Sequence, residues 1–294
     1  MSIRSEVNVS AVLKEKSQKM TRRMSRGLIY LVLIAGSVLM LLPFIWLIRS
    51  SLMSDGQIFK FPPEWVPHPF EWGNYVQSLT EAPFLTYFKN TMIIEIGVVP
   101  GTLLTAGVSA YSFARLRWKG KRVVFGLIIS TLMLPYAVTL IPTFIMWKSI
   151  GAVNTFWPLI VPAWFGGGAF NVFLLRQFFL GIPRELDEAA YIDGATPWQV
   201  FWRVVVPLSK PAFIAVGIFT FIGVWNDFLS PIIYLNSDSK FTLALGLAQF
   251  LGQYQQQWGY LMAASTVVLL PIVILFFVLQ RYFVQGITLT GSKG

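Results

Sequence analysis

The chain has 294 residues, of which 55% are hydrophobic and 12% are charged, whereas about a quarter of the residues in an ordinary soluble domain carry a charge. This composition excludes a soluble globular protein, because so few charges would leave large apolar patches in contact with water. The net charge of +10 does not indicate nucleic-acid binding, since the cationic residues fall in short stretches between long apolar runs, as in membrane proteins. The absence of cysteine excludes disulfides, thiol catalysis and cysteine-bound metals.

Six apolar stretches are long enough to cross a bilayer, which requires about 20 residues per helix. The first stretch is longer than the apolar region of a secretory signal, so it is expected to be retained between a polar tail over 1–26 and the rest of the bundle. A second tail is expected over 285–294. The sequence therefore predicts an all-α integral membrane protein with a transmembrane domain over 27–284 and six helices over about 28–48, 88–114, 123–147, 157–178, 211–235 and 260–283.

Three glycines at 166–168 interrupt the fourth apolar stretch. Because glycine has no side chain beyond a hydrogen, they are expected to let another helix or a substrate approach the backbone there.

The distribution of Lys and Arg predicts that both termini are cytoplasmic. With the N-terminus inside, 18 of the 23 cationic residues fall on the cytoplasmic side and 5 outside, as the positive-inside rule favours. This orientation places two long loops outside, over 50–87 and 236–259. The second contains polar and aromatic residues suited to docking of an extracytoplasmic partner, with a passive connection as the alternative. The candidates for such contacts are Gln249, Tyr254, Gln256 and Trp258.

The cytoplasmic loop over 181–208 predicts two short helices joined by a tight turn. Pro183 is expected in the first turn of the first helix, and Gly194 is expected to end that helix as a left-handed cap. Thr196 is expected to cap the second helix with Pro197 at its first position, and Pro207 to end it.

The spacing in this loop resembles the EAA loop of binding-protein-dependent ABC importer permeases, in which Glu-Ala-Ala is followed at fixed distances by Gly and by Ile-x-Leu-Pro. This chain has Glu188-Ala189-Ala190, then Gly194, then Val204-Val205-Val206-Pro207. Other segments resemble the carbohydrate branch, in particular the smaller permeases of maltose- and glycerol-phosphate-type importers: Ala110–Leu116, Asp193–Trp198, Trp225–Phe228 and Gln285–Thr288.

The resemblance implies a MetI-like permease of an ATP-driven carbohydrate importer in a bacterial-type plasma membrane. Its partners would be a second homologous permease, two cytoplasmic ATPase subunits and an extracytoplasmic solute-binding protein. The chain lacks a phosphate-binding Gly-x-x-x-x-Gly-Lys-Ser/Thr pattern, so it would not be an enzyme or bind a cofactor, and the ATPase would hold ATP and Mg²⁺.

The same resemblance assigns the loop as the coupling helix that sits in a cleft of the ATPase. Glu188 would form an ion pair with a basic ATPase residue, Ala189 and Ala190 would allow close approach, and Gly194 would set the turn. The remaining candidates at the rim and end of this contact are Asp193, Arg203 and Pro207. The alternative is an amphipathic loop resting on the bilayer surface.

Two acidic residues inside predicted membrane helices are candidates for the substrate pathway, because ionisable groups are expensive in a bilayer. Glu95 lies in the second helix. Asp227 follows Trp225 and Asn226 in the fifth, where a ring face suits the C–H surface of a sugar and polar groups suit its hydroxyls. The alternative role for these residues is structural: they would hold helices of this chain together or hold the partner permease in place. The alternative function is an ion-coupled secondary transporter, which would need charged relay residues in several helices.

Overall fold

The computed structural model describes residues 3–253 and 257–291, and every helix or strand element in that part of the chain is helical. The helices, α1 to α15 in chain order, are Ile3–Ser51, Asp55–Ile58, Gly73–Glu81, Phe84–Ala114, Lys121–Ser130, Tyr136–Ser149, Trp157–Ile160, Ala169–Leu180, Glu185–Ile192, Pro197–Val200, Val206–Leu208, Lys210–Trp225, Leu229–Tyr234, Leu243–Gln253 and Trp258–Gly291. Short 3₁₀ turns cover Thr131–Met133, Val161–Trp164 and Asp238–Lys240, and a π-helical turn covers Phe201–Val205.

Four helical segments of the described chain are long and apolar enough to cross a membrane, and the number rises to six if each of two bent pairs is one crossing. These segments are Ser25–Ser51, Phe84–Ala114, Trp157–Leu180 and Trp258–Gln280. The third of them, which corresponds to the fourth predicted helix over 157–178, is not one helix, because residues 165–168 separate the 3₁₀ turn Val161–Trp164 from α8 and the glycines there have positive φ. The bent pairs are Lys121–Met133 with Tyr136–Ser149, at 101°, and Pro197–Leu208 with Lys210–Trp225, at 79°. The prediction of an all-α membrane protein is confirmed.

The third predicted helix, over 123–147, is not one straight helix. It breaks between Met133 and Tyr136, where Leu134 and Pro135 have extended backbones. Pro135 has no N–H to continue the helix and its ring disfavours a helical conformation at the preceding residue. The sequence prediction overlooked this proline.

The fifth predicted helix, over 211–235, is also divided. Helix α12 ends at Trp225 and α13 begins at Leu229. Oδ1 of Asp227 accepts a hydrogen bond from the N–H of Ser230 at 3.0 Å, which satisfies a donor in the first turn of α13. The terminal tails, by contrast, are extensions of membrane helices, since α1 begins at Ile3 and α15 continues to Gly291.

Helix α4 forms the centre of the bundle and packs against α8, α12 and α14. Its C-terminal half contributes Ala106, Ala110 and Ala114 to a buried cluster shared with α8, α12 and residues of the 197–206 region. Gly167, which precedes α8, permits this close packing. At Gly167, where φ is +66°, a Cβ atom would lie 2.6 Å from the carbonyl oxygen of Thr102. The expected close approach of another helix is therefore confirmed at Gly167.

The N-terminal half of α4 is joined to the segment that precedes α14 by side-chain hydrogen bonds. The amide of Asn90 donates to the carbonyl oxygens of Ser239 and Phe241, both at 2.9 Å. Oγ1 of Thr91 accepts from the N–H of Leu243 at 3.0 Å. These bonds fix the start of α14 to the central helix.

Asn154 joins two further loops at this end of the bundle. It adopts a left-handed backbone conformation with φ of 60°. Its Oδ1 accepts from the N–H groups of Asn236 and Ser237 at 3.1 and 3.2 Å, and its Nδ2 donates to Oγ of Ser237 at 2.7 Å. Nζ of Lys240 donates to its carbonyl oxygen at 2.5 Å. Asn and Asp tolerate this conformation better than other non-glycine residues do.

Candidate functional site

The region over 181–208, hereafter the hairpin, contains α9, α10, the π-helical turn and α11. Helix α9 ends in a left-handed cap at Gly194, where φ is +79°. The N–H of Gly194 donates to the carbonyl oxygen of Tyr191 at 3.0 Å, and the N–H of Ala195 donates to that of Ala190 at 2.9 Å. This pair of bonds is the Schellman motif, so the predicted helix stop at Gly194 is confirmed.

Helix α10 begins with a capping box. Oγ1 of Thr196 accepts from the N–H of Gln199 at 3.3 Å, and Oε1 of Gln199 accepts from the N–H of Thr196 at 2.8 Å. The cap predicted at Thr196, with Pro197 at the first helical position, is confirmed. Gln199 completes this motif three residues after the cap, a role that its spacing from Thr196 could have predicted.

Of the two expectations about prolines in the hairpin, the one for Pro183 is wrong. Pro183 lies before Arg184, the N-cap of α9, and so outside the helix. Pro207 lies next to the end of the helical run Pro197–Leu208, so the expected helix end is confirmed to within one residue.

A buried ion pair attaches the hairpin to α4. Nη1 of Arg115 lies 3.2 Å from Oδ2 of Asp187, and the two side chains are only 3% and 10% exposed. Nη2 of the same guanidinium donates to the carbonyl oxygen of Ile182 at 2.7 Å. Burial raises the pKa of the Asp187 carboxyl, and the guanidinium groups of Arg115 and Arg184 oppose that rise. Arg115 therefore contacts the hairpin both before α9 and within it.

The second half of the hairpin is seated in the protein core. Val200, Phe201 and Val205 are essentially fully buried in the cluster formed with α4, α8 and α12. The Phe201 and Tyr111 rings lie 5.1 Å apart, and the hydroxyl of Tyr111 donates to the carbonyl oxygen of Pro197 at 2.9 Å. The apolar stripe of this half thus faces the chain's own helices.

The opposite face of α9 is exposed. Glu188, Ala189, Asp193 and Gly194 are accessible, and the carboxylate of Glu188 forms no ion pair within the described residues. Large apolar side chains of the hairpin are exposed as well, and Ile192 is 86% exposed. The others are Leu186 and Tyr191 on α9 and Trp198 on α10. Of the remaining candidates, Ala190 is half-buried, and Arg203 and Pro207 are exposed.

The substrate-pathway candidates do not form one polar site. Glu95 is 3% exposed, and neither of its carboxylate oxygens has a hydrogen-bond partner among the described residues. Trp225 is 2% exposed; its ring stacks on Phe221 with centroids 5.4 Å apart, and its Nε1 donates to the carbonyl oxygen of Val268 at 3.2 Å. The ring is therefore not open to a sugar in this conformation.

The two polar neighbours of Trp225 make local hydrogen bonds. Nδ2 of Asn226 donates to the carbonyl oxygen of Ile222 at 2.8 Å, and Asp227 binds the first turn of α13 as described above. Asn226 is exposed and Asp227 half-buried.

Two of the candidates for contact with an extracytoplasmic partner, Gln249 and Trp258, lie on helices at the end of the bundle opposite the hairpin. Gln249 lies in α14, and Tyr254 and Gln256 fall outside the described residues. Trp258 begins α15, is 37% exposed and packs edge-on against Phe59 with ring centroids 5.6 Å apart.

Sequence reasoning missed the residues that hold the hairpin in place: Tyr111, Arg115 and Asp187. Asp187 was visible in the acidic first turn of α9 and Arg115 in a basic turn. No spacing rule links them, since they belong to different helices far apart in sequence. Their pairing becomes evident only when α4 and α9 are packed together.

Comparison with known proteins identifies the family. Residues 102–289 match the binding-protein-dependent transport system inner membrane component. The chain belongs to this family. It is therefore an inner-membrane transport subunit rather than an enzyme, and the MetI-like permease fold implied by the sequence resemblance is confirmed.

Several relatives match over most of their length. The arabinooligosaccharides transport system permease protein AraQ of Halalkalibacterium halodurans is 36% identical over 246 residues, which are 83% of this chain and 86% of that protein. The diacetylchitobiose uptake system permease protein NgcG of Streptomyces coelicolor is 32% identical over 252 residues, covering 85% of this chain and 83% of the relative. The sn-glycerol-3-phosphate transport system permease protein UgpE of Yersinia pestis is 32% identical over 266 residues, covering 88% and 94%.

The fold also matches a solved structure. A chain in the crystal structure of a bacterial ABC transporter involved in the import of the acidic polysaccharide alginate superposes with a TM-score of 0.76. The match covers 87% of this chain and 96% of that one, at 24% identity. At this identity the likeness establishes the fold alone.

Asp187→Ala is expected to destabilise the folded chain by about 3–5 kcal/mol, because it leaves the buried guanidinium of Arg115 without its counter-charge. Asp193→Ala is the matched control, since Asp193 is exposed on the same hairpin, and its effect is expected to stay below about 0.5 kcal/mol. Unfolding in mixed micelles, followed by tryptophan fluorescence, measures both. Equal losses in the two variants would show that the ion pair is not what attaches the hairpin.

Proposed function

We propose that this chain is a permease subunit of an ATP-driven importer that carries a sugar or oligosaccharide across the bacterial plasma membrane. The observation that carries the proposal is the exposed Glu188 on α9, a helix that also exposes Leu186, Tyr191 and Ile192 and belongs to a hairpin that the core fixes in place. An exposed acid and exposed apolar side chains, on a short helix at one end of a membrane bundle, suit docking into a cleft of another protein.

The substrate class rests on the relatives. The names of AraQ and NgcG specify arabinooligosaccharides and diacetylchitobiose, and the solved relative imports a polysaccharide. We therefore assign a carbohydrate to this chain. In addition, the family is that of binding-protein-dependent systems, and nothing in the described residues favours the ion-coupled alternative.

In the proposed mechanism, two cytoplasmic ATPase subunits hold ATP and Mg²⁺, and a second homologous permease completes the pathway. An extracytoplasmic solute-binding protein delivers the substrate. Closing of the ATPase dimer displaces the hairpin, and the Arg115–Asp187 ion pair and the buried Phe201 transfer that displacement to α4. If the hairpin were a flexible loop, it would deform when the ATPase moved, and the displacement would not reach α4.

The hairpin residues take separate parts in this contact. Glu188 pairs with a basic residue of the ATPase, and Ala189 and Ala190 allow the two surfaces to approach. Gly194 sets the direction of the chain between α9 and α10. The charged side chains of Asp193 and Arg203 lie at the rim, and Pro207 belongs to the segment that leads into α12.

Because the hairpin is proposed to dock on a cytoplasmic ATPase, the hairpin and both termini lie in the cytoplasm. The excess of Lys and Arg on that side supports this orientation. The opposite end, with α14 and Trp258, then faces the binding protein. Its attachment to α4 through Asn90 and Thr91 supports a docking platform rather than a passive connection.

Single cysteines test the orientation, because the chain has none of its own. Ile192→Cys is expected to crosslink to the ATPase and to resist a membrane-impermeant maleimide added from outside. Phe61→Cys, at a position 92% exposed on the opposite side, is expected to react with that reagent. The reverse labelling pattern would overturn the orientation. A cysteine at 192 that stays accessible to cytoplasmic water throughout turnover would overturn the coupling assignment.

Glu188→Ala is expected to weaken ATPase docking by about 30-fold or more, since truncating one partner of a buried charge pair costs at least about 2 kcal/mol. The measurement is substrate-stimulated ATP hydrolysis by the reconstituted complex. Glu188→Asp keeps the charge and is expected to retain most of the stimulation. Glu71→Ala makes the same charge change at the other end of the bundle and should leave ATPase docking intact. Full stimulation in Glu188→Ala would disprove the role of Glu188.

Glu95 is proposed to line the substrate pathway in a conformation other than this one, because its buried carboxyl has no partner here. Glu95→Gln keeps the side-chain shape and is expected to change the relative inhibition of uptake by competing sugars about 5- to 10-fold, the effect of one or two hydrogen bonds. Thr220→Val is the control, since the hydroxyl of Thr220 is also buried without a partner. A uniform decrease for every sugar would indicate a role in assembly alone.

A further inference from the structure

A cationic pocket lies between the end of α4 and the start of α5, at the same end of the bundle as the hairpin. It has a volume of about 460 Å³ and is lined by residues of the turn over 116–123. Arg115, which binds the hairpin, immediately precedes this turn. None of the proposed coupling or substrate-pathway residues lines the pocket.

The pocket has more positive charge than its surroundings neutralise. Arg117, Lys119 and Arg122 are exposed and form no ion pair within the described part of the chain. The nearby acidic side chain of Asp187 is already paired with Arg115. Such a group of cations favours a ligand with negative charge.

The backbone adds a second feature that favours an anion. Helix α5 begins at Lys121, directly after Gly120, whose φ is +84°. No side chain caps this ten-residue helix, so the N–H groups of its first turn remain available beside the cations. The turn itself is held closed by Lys121, whose Nζ donates to the carbonyl oxygen of Leu116 at 2.8 Å.

An apolar surface begins where the cations end. Helix α5 has no buried residue, and Val123 and Leu127, one turn apart, are 68% and 62% exposed. Trp118 lines the pocket, with its ring 5.6 Å from that of Phe113. Tryptophan is enriched at the boundary between lipid headgroups and acyl chains. The surface therefore changes from cationic to apolar within one helical turn.

We propose that this pocket binds an anionic phospholipid, with the phosphate on Arg117, Arg122 and the first turn of α5, and with an acyl chain along Val123 and Leu127. A soluble anion would satisfy the charges but not the adjoining apolar face, whereas a phospholipid satisfies both. Basic pockets on the cytoplasmic side of membrane proteins commonly bind such headgroups. A lipid bound there also lies beside Arg115 and so adjoins the attachment of the hairpin.

The test uses the purified transporter complex with this full-length chain and native mass spectrometry in the presence of dioleoyl-phosphatidylglycerol or dioleoyl-phosphatidylcholine. The wild-type complex is expected to retain phosphatidylglycerol in preference to phosphatidylcholine. The double variant R117Q/R122Q is expected to bind phosphatidylglycerol about 25-fold more weakly, since each cation near an anionic headgroup contributes about fivefold.

The matched control is K89Q/K148Q, which removes two exposed cations from other parts of the chain. It is expected to bind phosphatidylglycerol as the wild type does. Equal weakening in the two double variants, or no weakening in R117Q/R122Q, would overturn the proposal. It would also be overturned if R117Q/R122Q kept the lipid but released the ATPase, or if inorganic phosphate filled the pocket and phosphatidylglycerol did not displace it. These results do not depend on which solute is transported.

Discussion

The attachment of the hairpin to α4 is the constraint on which the rest of the structure depends. Burying the guanidinium of Arg115 and the carboxylate of Asp187 carries a large desolvation penalty, so the pair is tolerable only while both groups remain together. Any displacement of α9 relative to α4 would separate them in a poorly solvated place. The apolar contacts of Phe201 and Val205 also hold the hairpin against the central helix.

The two ends of the bundle are held by different kinds of interaction. Around the hairpin, close packing of α4, α8 and α12 dominates, with small residues on α4 and Gly167 before α8. At the opposite end, side chains such as Asn90 and Asn154 bind backbone groups of loops. Packing resists relative movement of helices. Side-chain hydrogen bonds fix irregular segments, which lack the regular backbone hydrogen bonds of a helix.

Much of the architecture was predictable because it depends on local chemistry. The stop at Gly194 and the cap at Thr196 require only their own neighbours, and the apolar stretches require only length. The interpretation failed where distant parts of the chain meet or where one residue overrides a pattern. The Arg115–Asp187 pair has no local pattern, and Pro135 divides a stretch whose hydropathy is uniform. Trp225 was read as a sugar-binding face because hydropathy and residue type do not reveal that Phe221 covers the ring.

The break at Pro135 limits what can lie next to this chain in the membrane. Hydrocarbon offers no hydrogen bonds, so an interrupted helix at that depth is stable only against protein or trapped water. Leu132, Met133, Leu134 and Tyr136 are all exposed around the break. Their side chains suit hydrocarbon, whereas the backbone groups freed by the break favour protein or trapped water as a neighbour.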